Sequence, residues 1–251
     1  MQVPLRPRNG KKRSRPGPLA DLVANRQEKA LDLLLLVYAV TVRESFDTAH
    51  WSTTWARAIN GSYDTQSASA QVSRLWRQLE EHQLIVRIQS GRKVSVTKLR
   101  EDGAGRPYTR PTGSETGRLG EIYFRLPYDY WRDGWNNRLT LPAKALLLIA
   151  MSRRDPKEFT LAEHWTSQWY GISEATVTRG RMKLEAEGII SVAREEQVPD
   201  LREMHGFGKR VYYKLEAPFD KNVRKGNGVT EGESSQKSKD PIRMRRVIIR
   251  K

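Results

Sequence analysis

Apolar residues recur at helical spacing in two series of segments, separated by a stretch with almost nothing to bury. The first series predicts a strongly apolar helix over 19–42, then helices over 52–59 and 67–82. Strand-like runs over 84–88 and 94–99 follow, turning at Ser90-Gly91-Arg92-Lys93, a tip that joins tight-turn chemistry to exposed charge. In the second series Thr140 suits an N-cap and Pro142 a first turn, predicting a buried helix over 143–153. Thr160 similarly caps a helix over 161–170, with Trp165 and Trp169 on one face. Gly171 then fits a left-handed turn, Ile172 an apolar plug, and Ser173 the cap of a helix over 174–187 that buries Val177 and Leu184. Gly188 ends that helix, and strands over 189–198 and 209–215 flank a loop over 199–208.

The two series share more than their order. The run VSRLWRQLEEHQLI, starting at Val72, aligns with VTRGRMKLEAEGII, starting at Val177, at a constant offset of 105. That alignment pairs Val72 with Val177, Arg74 with Arg179, Leu79 with Leu184 and Glu80 with Glu185. Lys29-Ala30-Leu31 and Lys144-Ala145-Leu146 open the apolar helix of each series. Two copies of one plan follow, and with them a mainly α chain with small β-hairpins, of the α+β class. The expected divisions are a basic arm at 1–18, a first domain at 19–102, a linker at 103–118, a second domain at 119–216 and a basic flexible tail at 217–251. The end of that tail, Val247, Ile248 and Ile249 among Arg243, Arg245, Arg246, Arg250 and Lys251, is suited to dock as a strand or short helix on a partner.

Charge sharpens this division. Of the net +16, residues 1–18 supply +6 and residues 217–251 another +6, so the two folded parts are nearly neutral and the basic character lies in arms. Basic arms attract polyanions by releasing counterions from phosphates. With no cysteine there is no disulfide framework, zinc ribbon or thiol nucleophile. His50, His82, His164 and His205 are scattered without metal-ligand spacing, and no Walker-type glycine loop occurs. His164, beside Glu163, reads as partly buried structure, and Asp129 and Asp133 as capping and loop residues in an aromatic cluster. The tryptophans pair at helical spacing, Trp51 with Trp55, Trp131 with Trp135 and Trp165 with Trp169, which reads as core packing, with base stacking as the other use. No apolar run approaches the roughly 18 residues of a membrane span. No cofactor, metal, small-molecule ligand or enzymatic activity is expected. Localisation is expected to be cytoplasmic, at the nucleoid when DNA is bound.

Three helices, the last two separated by Gly171-Ile172-Ser173 ahead of Val177, followed by a hairpin, resemble the winged helix-turn-helix superfamily. The resemblance covers both copies, although Asn60-Gly61-Ser62-Tyr63-Asp64 makes a longer turn in the first. Tandem domains with basic arms also look like bacterial transcription regulators and plasmid or phage replication initiators, and residues 126–151 are similar in style to segments of such replication proteins. The resemblance implies two winged domains joined by a linker, double-stranded DNA as partner, and a homodimer as one assembly. It implies that the third helix of each copy enters the major groove. In the second copy the implied contacts are Ser173, Glu174, Thr176, Thr178, Arg179 and Lys183; in the first they are Ser69, Gln71, Ser73, Arg74 and Arg77. Arg179 is the leading base reader, since arginine bonds guanine bidentately, with pairing to Glu174 or Glu185 as its bland alternative. The hairpins would add Arg92, Lys93, Arg202, Lys209 and Arg210 on phosphates or in the minor groove, and the arm Arg13 and Arg15 in a narrow minor groove. The rival class is a protein-interaction or RNA-binding module whose arms bind any polyanion.

Overall fold

A computed structural model describes residues 17–41, 43–60, 65–90, 93–111, 123–153, 158–199, 204–220 and 247–250. The first apolar stretch divides in two, unlike the single helix expected over 19–42. Helix α1 (Pro18–Ala24) starts with proline in its first turn and stops at Asn25. Arg26 adopts φ +54°, and the Gln27 N–H donates back to the Leu22 carbonyl at 2.8 Å, so the chain turns before α2 (Glu28–Val40) begins. Arginine has no glycine-like licence for that conformation, which is why no turn signal stood in the sequence. Helix α2 buries every residue from Ala30 to Tyr38, Asp32 included, as a helix apolar on all sides must when it forms the centre of a core.

Strand β1 (Asp47–His50) precedes α3 (Ser52–Ala58) and α4 (Thr65–Glu81), and β2 (Ile85–Ser90) and β3 (Lys93–Lys98) follow. The three strands form one antiparallel sheet with β3 central, Asp47 opposite Thr97 on one side and Ile85 opposite Lys98 on the other. Helix α4 seats Ala68, Val72, Leu75, Trp76 and Leu79 in the core, an i, i+4, i+7 stripe. The beginning of the expected linker is packed instead of bare. Tyr108 is buried edge-on to Tyr38 (5.7 Å between ring centres) and Phe46 (4.8 Å), and Lys98 Nζ lies 4.1 Å from the Tyr108 ring centre while donating to the Thr41 carbonyl at 2.8 Å. Burial among these rings pushes the Lys98 ammonium down to about 8. Residues 112–118 of that linker lie outside the described residues.

The second half contains β4 (Tyr123–Leu126), two single-turn helices α5 (Asp129–Arg132) and α6 (Trp135–Arg138), then α7 (Leu141–Ser152), α8 (Glu163–Tyr170), α9 (Glu174–Ala186), β5 (Ile190–Pro199) and β6 (Phe207–Leu215). Asp129 and Asp133 both pair with Arg132 in that turn. Helix α7 is buried on all sides like α2. Helix α8 starts two residues later than expected, with Ala162 and not Thr160 at its cap. The punctuation beyond it is as the sequence implies: Gly171 has φ +69°, the Ser173 side chain accepts from the Thr176 N–H, and Gly188 has φ +67°. Phe159 bridges Tyr213 through paired backbone bonds of 2.9 and 2.8 Å, adding a minimal third partner to the β5–β6 hairpin. The chain end, expected to dock on a partner, forms β7 (Val247–Arg250), antiparallel to β4 with Tyr123 opposite Arg250. Residues 221–246 lie outside the described residues. The described residues thus form a mixed α/β fold of nine helices with small antiparallel sheets.

Both halves contribute to one contiguous buried cluster. Where α7 meets α2, the fully buried Lys144 ammonium donates to Asp32 at 2.7 and 2.9 Å and to Glu28 at 2.8 Å. Burial outweighs the adjacent ammonium and lifts the Asp32 carboxyl to about 6. Close backbone approach joins α7 to α9: a Cβ on Gly180 would stand 2.6 Å from the Pro142 carbonyl oxygen. Gly180→Ala gains about 1 kcal/mol of helix propensity but meets immovable backbone, an overpacking cost of about 1–3 kcal/mol. A net loss of stability is expected in denaturant titration, and a raised midpoint would contradict the contact.

Candidate nucleic-acid interface

Helix α9 turns one side to the core through Val177, Gly180 and Leu184. Its opposite side is open and carries Ala175, Thr178, Arg179 and Met182, the last 58% exposed. This placement corrects part of the expected contact set. Thr176 is only 7% exposed, with its hydroxyl 2.8 Å from Ser173 Oγ, so it stabilises the helix start and does not project outward. Ser173 is exposed but serves as the N-cap, accepting the Thr176 N–H at 3.2 Å. Lys183 is half-buried and pairs with Glu187 at 2.7 Å. Thr178, half-buried, uses its hydroxyl proton on the Glu174 carbonyl at 3.1 Å, which leaves the oxygen as an acceptor only.

Arg179 remains without a carboxylate at ion-pair distance among the described residues, because both expected partners are engaged elsewhere. Glu174 takes His164 (3.0 Å), and Glu185 takes Arg181 (3.2 Å), which also reaches Glu163. His164 is therefore an exposed member of a surface pair and not partly buried as expected. Arg179 Nε donates to the Ala175 carbonyl at 3.2 Å, folding the guanidinium along its own helix. A cleft of about 950 Å³ borders this side of α9, walled by Ala20, Val23 and Arg26 around α1 and by Thr140 to Pro142 at the start of α7, with Arg179 and Lys183 in its lining.

Helix α4 exposes Ser69, Ser73, Arg74 and Arg77 as expected, with Ala70 beside them, while Gln71 is half-buried at the side. The hairpins are less suited to phosphates than their lysines and arginines suggested. Lys209 pairs with Glu195 at 2.7 Å, and Arg210 sits opposite Glu196 in the ladder, so the β5–β6 hairpin balances its own charge. Near its tip Met204 is 93% exposed and Phe207 is exposed as well. Lys93 begins β3 opposite Ser90; Arg92, Arg202, Arg13 and Arg15 lie outside the described residues.

The repeat reaches beyond the run that starts at Val72 and Val177. Ala70-Gln71-Val72-Ser73-Arg74 parallels Ala175-Thr176-Val177-Thr178-Arg179, extending the match upstream to an alanine shared at the same offset of 105. His50-Trp51-Ser52-Thr53-Thr54-Trp55 parallels His164-Trp165-Thr166-Ser167-Gln168-Trp169, displaced by 114 residues instead of 105. The core-packing expectation is met by Trp55 and, half-buried against the core, by Trp131, Trp135 and Trp169, but not by Trp51 or Trp165, which are 51% and 52% exposed. Comparison with protein-family models, with curated proteins and with solved structures finds no match to this chain. Among the described residues no helix is long and apolar enough to cross a membrane.

Proposed function

We propose that the chain is a sequence-specific double-stranded DNA-binding protein built of two winged helix-turn-helix units, acting as a transcriptional regulator or a plasmid or phage replication initiator. The order helix, strand, helix, helix, strand, strand supports this reading in the first half, where β1 lies beside β3. The second half repeats the order with the Phe159 bridge in place of the first strand. The observation that carries it is the outward stripe of α9: a guanidinium with no carboxylate at ion-pair distance among the described residues, beside a threonine, an alanine and a methionine. Arginine reads guanine, and alanine or threonine methyl groups pack on the thymine methyl, so this stripe has the chemistry of base-edge readout in a major groove. The arms, with +12 of the net +16, supply affinity without specificity.

Arg179→Ala is expected to cost about 1–3 kcal/mol on the specific site and little on random duplex, measured by fluorescence anisotropy on both. Equal losses on the two would make Arg179 a phosphate contact. The exposed Met204 and Phe207 favour a second reading, in which the β5–β6 hairpin docks a protein; that reading predicts Arg179→Ala without effect on duplex affinity.

A further inference from the structure

Resting on the DNA-binding reading, we propose that α4 and α9 read the same short base sequence, so that a single chain occupies two copies of one half-site. The argument comes from which exposed positions the two copies share. Buried matches such as Val72 with Val177 and Leu79 with Leu184 are explained by packing alone, since all four are at most 1% exposed. Exposed positions have no such constraint, and most of them differ: Ser69 against Glu174, Arg77 against Met182, Glu81 against Ala186. Two exposed positions on one helical stripe are identical, Ala70 with Ala175 and Arg74 with Arg179, and between them Ser73 and the half-buried Thr178 both carry a hydroxyl. They stand at i, i+3 and i+4, the spacing that puts side chains on one face.

Each member of the shared set matches a base-edge chemistry. The arginine supplies two parallel donors for guanine O6 and N7, the hydroxyl oxygen offers an acceptor, and the alanine methyl fits beside a thymine methyl. The helix before each stripe is duplicated too, with an exposed tryptophan following a histidine: Trp51 just ahead of α3 and Trp165 in the first turn of α8. Both the reading stripe and its flank are therefore presented twice by one chain. The pair that differs at the far end of the stripe, Arg77 against Met182, assigns the expected divergence: the half-sites share a core containing guanine and differ at one flanking base. Arg77 favours a second guanine there, and Met182 an apolar edge.

The test is base preference profiled from a random duplex pool for the wild-type chain, Arg74→Ala and Arg179→Ala, with thermal unfolding as the control for folding. The expected wild-type profile contains two copies of one core, in direct or inverted orientation. Each variant is expected to lose preference at the guanine of one copy only and to bind the full site about 10- to 100-fold more weakly, with an unchanged melting temperature. Two half-sites of unrelated sequence, a single half-site, or an Arg74→Ala profile identical to wild type would overturn the inference while leaving DNA recognition by α9 intact. A pool with no enriched motif would overturn both.

Discussion

Lys144→Ala is expected to lower stability by about 3–5 kcal/mol, the cost of leaving the buried Asp32 carboxyl without its hydrogen-bonded ammonium and beside Glu28, with only the more weakly acting Lys29 in compensation. The ammonium is fully enclosed and makes three hydrogen bonds, to both Asp32 oxygens and to Glu28, so no solvent replaces it when it is removed. For a chain of this length the loss corresponds to a fall in melting temperature of roughly 6–20 °C. The double variant Lys144→Met with Asp32→Leu separates the cost of the orphaned charge from the value of the pair. Replacing a buried ion pair by apolar residues of similar volume is often neutral or stabilising, so the double variant is expected to melt near wild type. A double variant as unstable as Lys144→Ala would mean that the lysine stem, and not its charge, holds α7 against α2. Because this contact joins the two halves, on the proposed DNA-binding reading it bears on the spacing between α4 and α9. Lys144→Ala is thus expected to relax the spacing tolerated between half-sites before it weakens either one.

Arg74→Ala combined with Arg179→Ala is expected to reduce binding at the specific site to the level of random duplex. On α9 the stripe holds no other strong base-reading donor, since its remaining members are alanine, threonine and methionine, while on α4 Arg77 is left to meet only the flanking base of one half-site. The arms remain, so binding persists but becomes steeply salt-dependent and indifferent to sequence. Competition titrations with specific and random duplexes at two salt concentrations read this directly. Retention of a large preference would assign specificity to the hairpins or to the α1-walled cleft.

Much of the helical plan was legible because its punctuation is chemical. Gly171 and Gly188 take positive φ where the pattern needed a turn and a stop, and Ser173 caps the helix that follows it. Helices α3 and α4 and both hairpins lie within a few residues of where periodicity put them. What escaped was set by tertiary contact. Strand β1 reads Asp-Thr-Ala-His, without alternating apolar residues, and exists because β3 offers it an edge. Strand β4 needs β7, more than a hundred residues away, and no local signal reports such a pairing. Tyr108 lies in a Gly- and Pro-rich stretch that looks like linker, yet the ring pocket of Tyr38 and Phe46 takes it in.

At the interface, residue type predicted the stripe better than it predicted individual roles. Thr176 and Thr178 are equivalent on paper, but the helix turns the first inward and the second outward. Ala70 and Ala175 carry no donor and so give no sign of a contact in the sequence, although their exposure on the arginine stripe adds to the likeness of the two helices. The His-Trp blocks fall out of register with the rest of the repeat because segments of different length shift their offset from 105 to 114. The cations of the second hairpin misled for a simple reason: their carboxylate partners come from the opposite strand, which composition cannot pair.

Sequence-specific duplex recognition is tested most directly by selecting bound duplexes from a random pool with the full chain at about 150 mM salt, where purely electrostatic binding is suppressed. The expected result is one enriched motif containing two copies of a guanine-bearing core. A pool that stays random, with all binding lost as salt rises, would contradict the account and leave only the arms as polyanion contacts.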